Sequence, residues 1–468
     1  MEALPKSVDY SEPLGILPSG TENYNVTCYA VNGGPFTGGS QIIVDLNNVG
    51  YLDPASLSIR YKLSLTIPTV AAAQVTSYSI PGCPVYAPIL RLDTLFNSNV
   101  VESINNYNSV ATALSNLNMS ISDKMGQQSA LGYYEQSITL SNAGVASALV
   151  DYSTINENTD GLTVCATSGA ATNATTTLTY SMSAPLPSLL SNAEKLIPLN
   201  GTNIRLQFTL DATGNVCPSV ATTILSGTAA ATGVAGAFSA YSISNFEVVY
   251  NQIQFPPQVE RHILAMPKLR IKTSSYATGL QSLSSGVAGT VNLVYNLRYA
   301  SIKAMLLLMG SSSAKGSNKL FESIDMTSGN GSYNFQVNGV YYPQNPLSTS
   351  NNKSGCLVEL RRAMKNMYSG NNSMSIANNE WLATDASVYA AANGSSINVP
   401  SKFYVGVNTQ KMDSPALFTG VSSQNSPITA IINVGSTPTS LAYSPILMLY
   451  YDAIIEVDTT TRQTNFIY

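Results

Sequence analysis

The side chains best suited to chemistry are few in this sequence, and their spacing argues against a catalytic centre. A hydrolase triad or a histidine-bearing metal site needs a placed imidazole. The only histidine is His262, beside Arg261 and just after Pro256-Pro257, and a structural role is expected for it. Ser312-Ser313-Ala314-Lys315 fits the S-x-x-K pattern of serine acyl enzymes, but its companion motifs are missing and Ser-rich surroundings make a chance match easy, so it reads as a loop. Gly33-Gly34-Pro35-Phe36-Thr37-Gly38-Gly39 lacks the Lys-Ser/Thr pair of a phosphate-cradling loop and holds a proline, so it reads as a turn before the first core strand. A β-sandwich glycosidase needs two carboxylates across a cleft, and nothing in the sequence points to such a pair. No catalytic, cofactor-binding or metal-ligating residue is therefore assigned.

The five cysteines, Cys28, Cys83, Cys165, Cys217 and Cys356, are odd in number and lack C-x-x-C spacing. That pattern supports neither a disulfide framework nor a zinc site, and predicts reduced thiols in an intracellular protein. Asn-x-Ser/Thr triplets at Asn25, Asn118, Asn173, Asn200, Asn330 and Asn393 are what an Asn-, Ser- and Thr-rich chain generates by accident. The basic group Arg361, Arg362 and Lys365 reads as a solvated helix face rather than a nucleic-acid contact. Trp381, the single tryptophan, reads as a core or interface anchor.

Composition sets the frame for these residues. At 468 residues the chain suits two domains, each of about 200 residues and each able to bury a core. Charged residues are only 10% of it, well below the roughly 25% usual in soluble domains. Low charge with 27 Tyr and a net charge of -4 predicts a compact chain with extensive contact surface, because interface cores lose Lys, Glu and Asp and gain Tyr. With 22 Lys+Arg against 26 Asp+Glu and no basic cluster at either end, the footprint of phosphate-backbone binding is missing. The start, Met1 to Ser7, carries an acid and a proline where a secretion leader would carry a basic start and an apolar run. Apolar stretches such as Ala304 to Met309 and Ile446 to Tyr451 fall far short of the roughly 20 residues a membrane-crossing helix needs.

The elements that must position everything are strands. A strand with one buried face turns every second side chain inward. That alternation runs through Leu57, Ile59, Tyr61, Leu63, Leu65 and Ile67, with Ser58, Arg60, Lys62, Ser64 and Thr66 between them. It recurs at Ile204 to Leu210, at Val291, Leu293, Tyr295, Leu297 and Tyr299, at Ile428 to Val434, and at Leu447 to Val457. Near residue 245 the apolar face switches from Tyr241 and Ile243 to Phe246, Val248 and Tyr250, which predicts a one-residue bulge. Helical spacing is rare. Leu357, Leu360, Met364 and Met367, with Gly370 as a stop, predict one helix, and Val110, Leu114 and Leu117 another, both inside loops of a β fold. Segments rich in Ala, Gly, Ser and Thr, notably Cys165 to Thr177, Leu225 to Ala240 and Thr273 to Gly289, predict long loops. Phe255-Pro256-Pro257 breaks the pattern before it restarts at Leu269, which predicts an arm over 1–20 and domains over 21–255 and 256–468.

In pattern and order, the chain resembles the double-jelly-roll major capsid proteins of the adenovirus, virophage and polinton-like virus lineage. Ser40 to Leu46, then Gly50-Tyr51-Leu52-Asp53-Pro54 and the alternating strand, resemble their opening strands. Leu189-Leu190 through Lys195 to Pro198 and on to Leu206 is similar to a late strand of their first jelly roll, and Tyr241 to Tyr250 to the strand that closes it. Ser332 to Gly339 with Tyr342 to Leu347 resembles a strand and loop before the second helix, and Leu417 to Ser423 with the closing strands resembles the final hairpin. The resemblance implies an all-β fold of two tandem jelly rolls with short helices in loops. It also implies a major capsid protein without enzymatic activity or cofactor, a homotrimer forming a pseudo-hexagonal tile of an icosahedral double-stranded DNA virus shell. The implied partners are neighbouring capsomers and minor capsid or penton proteins, with no sequence-specific nucleic-acid binding, and the implied place is the virion, assembled inside the host cell. The rival expectation is a carbohydrate-binding adhesin or viral spike on a β-sandwich scaffold.

Overall fold

The computed structural model describes residues 18–47, 49–68, 75–133, 135–140, 146–152, 161–168, 175–218, 234–311, 321–367, 374–376, 380–381, 387–390, 396–399, 401–412, 418–436, 439, 442–461 and 463–468. Most of the expected 1–20 arm, Ser312 to Lys315, Gly370, Leu417, Asn173 and Asn393 lie outside them.

The first half stacks two sheets. In one, the strands Thr176–Pro185, Ser58–Ile67, Ala240–Gln254, Tyr51–Leu52 and Ile197–Pro198 lie side by side, with Glu22–Tyr29 and Phe36–Thr37 also paired to Ala240–Gln254. In the other the order is Gln41–Asp45, Ile204–Leu210, Ile89–Phe96, Asn99–Asn105, all antiparallel. The alternation does what period two demands: Ile59, Tyr61, Leu63, Leu65 and Ile67 are buried while Arg60 and Lys62 are exposed. The sheets meet through these inward rows, with the Phe208 ring 4.9 Å from Phe246 and Tyr61 stacked on Phe246 at 5.8 Å.

The second half repeats the plan. One sheet runs Lys268–Leu280, Tyr443–Asp458, Ile302–Ser311, Val405–Asn408, with Thr464–Ile467 also paired to Tyr443–Asp458. The other runs Thr290–Tyr295, Ile428–Asn433, Ser332–Val337, Val340–Ser348. Among the described residues every strand pair lies within one half, and none joins the two.

The bulge sits where the face switch places it. Ser244 pairs with Lys62 and Glu247 with Arg60, so three steps on one strand match two on the other, and Asn245 takes a left-handed φ of 52°. The helix Lys353–Met367 buries Cys356, Leu360, Ala363 and Met364 and exposes Arg361 and Arg362. The helix Tyr107–Asn118 departs from a one-faced stripe: from Tyr107 to Leu117 only Ser109 escapes burial. Two of its buried amides are hydrogen-bonded across the fold, Asn108 to Asp211 at 3.0 Å and Asn116 to Tyr404 at 3.2 Å.

Several expectations are corrected. Thr273 to Leu280 is no loop but part of the strand Lys268–Leu280, and Cys165 to Ser168 belongs to the strand Leu162–Ser168. That strand joins Ala146–Tyr152, Glu135–Leu140, Val75–Ile80 and Val234–Ala235 in a third sheet of the first half, so inserted segments pair with one another. Tyr342 to Leu347 is likewise strand, the second arm of a hairpin turning at Asn338 and Gly339, both at positive φ as a two-residue turn requires. Its two prolines are tolerated because, among the described residues, no further strand pairs beyond it. The strand Thr290–Tyr295 stops before Leu297 and Tyr299. Phe418 to Ser423 contributes a single bridge, Val421 to Ile302, rather than a hairpin arm, and the closing strands Ile428–Asn433 and Tyr443–Asp458 lie in different sheets. A helix also fills the break at Pro256-Pro257, over Pro257–Leu264, where proline suits the first turn.

Candidate functional site

The residues singled out in the sequence sit on separate elements. His262 is exposed on Pro257–Leu264, Arg361 and Arg362 on Lys353–Met367, and Arg362 pairs with Glu359 at 2.5 Å. Trp381 is buried with its ring 4.8 Å from Phe403, an anchor as expected. Cys28, Cys83, Cys217 and Cys356 are buried free thiols, with Cys217 and Cys356 both pushed up to about 12 by burial. Among the described residues no group of three or more His, Cys, Asp or Glu is placed to hold a metal, and no helix is long and apolar enough to cross a membrane. The buried acids act as structural pegs. Asp325 accepts from Thr327, Gly329 and Tyr333 and faces Lys353 at 3.4 Å, and Asp452 accepts from Ser301 and pairs with Lys303 at 2.9 Å.

The most elaborate polar construction is the seam between the sandwiches. Here the strand Asn99–Asn105, at one side of the first sandwich, meets Lys268–Leu280 of the second, with the turn at residues 188–194 beside them. Thr278 Oγ1 donates to Asn105 O at 2.9 Å, Thr273 Oγ1 to Leu189 O at 2.5 Å, Asn192 Nδ2 to Ser274 O at 3.0 Å, and Glu194 N to Lys272 O at 3.0 Å. Lys272 and Glu194 add an ion pair at 3.0 Å. In the middle lies Glu102, 2% exposed, whose carboxylate accepts from Leu189 N at 2.8 Å, from Thr94 Oγ1 at 2.9 Å and from Ser275 Oγ across the seam. Burial raises its pKa from the ordinary 4.5 to about 7, with Asp93 adding to the rise and the three donors opposing it. Sequence reasoning missed Glu102. The available signal was an acid two residues before Ile104, on the inward side of the strand Val100-Val101-Glu102-Ser103-Ile104.

Outside, the seven-stranded sheet presents a flat hydroxyl-rich face. Thr179, Ser64 and Ser242 stand in register across three strands, as do Ser181, Lys62 and Ser244, and Ser64 bonds Thr179 at 3.1 Å. Tyr24, Tyr29 and Val31 in the first strand and just after it, Val340 and Tyr341 at the hairpin, and Ile467 and Tyr468 are exposed. Such surfaces associate without stripping water from many charges.

Solved structures that share this arrangement include capsid chains of viruses. The chain superposes on a chain of the Sputnik virophage with a TM-score of 0.58 at 11% identity, covering 99% of this chain and 92% of that one. It is a double jelly roll. The mavirus major capsid protein gives a TM-score of 0.51 at 12% identity over 100% of this chain and 96% of the other. The Faustovirus major capsid protein gives 0.52 at 10% identity over 96% and 92%. No protein-family model and no curated protein sequence matches this double jelly roll.

Proposed function

We propose that this chain is the major capsid protein of an icosahedral double-stranded DNA virus, built into the virion inside the host cell, and that it works as a tile without enzymatic activity. The supporting observation is coverage: a tandem pair of jelly rolls that aligns nearly end to end with major capsid proteins of comparable length. The two lobes correspond to 21–255 and 256–468, with 1–20 as an arm. Three copies give six similar lobes, a pseudo-hexagonal capsomer whose neighbours are further capsomers and minor capsid or penton proteins. The buried acids bound by their own chain and the hydroxyl-rich outer face suit cohesion by many modest contacts.

Light scattering on purified protein at micromolar concentration is expected to give the mass of a trimer, and negative-stain images hexagonal capsomers. Monomer alone at that concentration overturns the reading.

A further inference from the structure

We propose that the seam between the two sandwiches is a pH-sensitive joint, closed tightly when Glu102 is protonated and loosened when it is ionised. The inference concerns a contact within one chain and does not depend on the coat-protein reading.

The geometry carries the argument. A carboxylate removed from water needs a cation or a full set of donors, and Glu102 has three neutral donors and, among the described residues, no cation in contact. Each packed element presents its own groups to it. From Ile89–Phe96 come Thr94 and the carboxylate of Asp93, the latter held by Arg91 at 2.9 Å. From the 188–194 turn come the Leu189 amide and Glu194, whose charge is taken by Lys272. From Lys268–Leu280 comes Ser275, and the phenols of half-buried Tyr299 and buried Tyr451, both raised first by burial, lie near enough for Glu102 to add to the rise. The cations at hand are thus engaged elsewhere, and the remaining neighbours are neutral or negative. A proton on Oε2 relieves this by turning the Thr94 contact around so that Thr94 accepts, while the Leu189 amide keeps its bond to Oε1.

The direction follows from linkage. With a folded-state value near 7 against an ordinary 4.5, the folded chain keeps its proton between those values while the unfolded chain has lost it. The contribution of Glu102 to stability is therefore greatest below about 4.5, falls as pH rises through the window, and is fully lost above about 7.

The experiment compares the full chain with Glu102→Gln, which retains shape and hydrogen-bonding capacity without titrating. Hydrogen exchange at pH 6 and 8, corrected for intrinsic rates, reads amide protection in 99–105 and 268–280 against 59–67 as an internal reference. In the wild type the seam amides lose protection relative to the reference as pH rises, by about tenfold between pH 6 and 8, the part of the titration that this window spans. In Glu102→Gln the ratio stays flat. Thermal unfolding follows the same contrast, the wild-type Tm falling from pH 5 to 8 more than that of the variant. A wild-type seam whose relative protection does not change between pH 6 and 8 overturns the proposal, and this arm stands even where the variant fails to fold. Identical pH slopes in wild type and a folded Glu102→Gln overturn it equally.

Discussion

Deleting Asn245 is the sharpest perturbation the fold invites. The strand Ala240–Gln254 keeps both its arms facing inward only because one extra residue sits between Ser244 and Glu247. Without it the side-chain alternation must fail on one side of the deletion. If the far arm flips, Phe246, Val248 and Tyr250 turn outward, all 2% exposed or less at present; if the near arm flips, Tyr241 and Ile243 do, at 1% and 0%. The near arm is the cheaper loss. Two large apolar side chains at about 1.5–3 kcal/mol each give about 3–6 kcal/mol, and the bond from Tyr241 to the Asp211 carbonyl is lost as well. Against a typical stability of about 5–15 kcal/mol this is severe, and where the chain still folds Tm should drop by about 10–20 °C. Circular dichroism melts of the purified deletion variant measure it. Asn245→Val, which keeps the count but forces a β-branched residue into the left-handed region, should cost about 1–2 kcal/mol. A deletion variant melting within about 2 °C of the parent would refute the bulge as the device that sets the register.

Two further outcomes are expected. Gly331→Ala places a Cβ 1.8 Å from the Asn433 carbonyl oxygen, a backbone atom of the neighbouring strand. Denaturant unfolding should show a loss of about 1–3 kcal/mol or more, while Gly33→Ala, which meets nothing within 4 Å, stays within about 0.5 kcal/mol. Burial and thiols pushed up to about 12 leave little thiolate at pH 8, so iodoacetamide should spare Cys217 and Cys356 in the native protein and alkylate both in denaturant, read by peptide mass spectrometry.

What the sequence made legible was whatever obeys a single period with one wet face. Ser58–Ile67 and Ile204–Leu210 alternate cleanly because one face of each is less buried, and the switch at Asn245 was readable from the same rule. The rule blurs where both faces are covered: residues 447 to 457 are all buried, so Asp452 and Glu456 occupy positions that alternation alone would assign to solvent. It fails where a strand is made of small polar residues. Thr273 to Gly279 reads as a loop because Tyr276 is its one large side chain, yet the small Thr273 and Ser275 are what allow the second sandwich to approach Leu189 and Glu102 closely enough to hydrogen-bond. Pro343 and Pro346 misled in the same way, since prolines exclude a central strand but not an outer one. Of the seam, only Glu102 left a trace, as one acid on an inward row; Thr94 faces it across a hairpin, but Leu189 and Ser275 come from two distant segments that no local pattern connects.

The strand Thr464–Ile467 pairs beside Tyr443–Asp458 while its Phe466 ring rests 5.1 Å from Phe96 of the first sandwich. During synthesis the leading half emerges from the ribosome long before this ring exists. The first lobe can therefore complete its sheets early, but its Phe96 lacks this aromatic neighbour until the trailing segment arrives. A chain ending short of Phe466 would leave that side of the Phe96 ring without its edge-to-face partner.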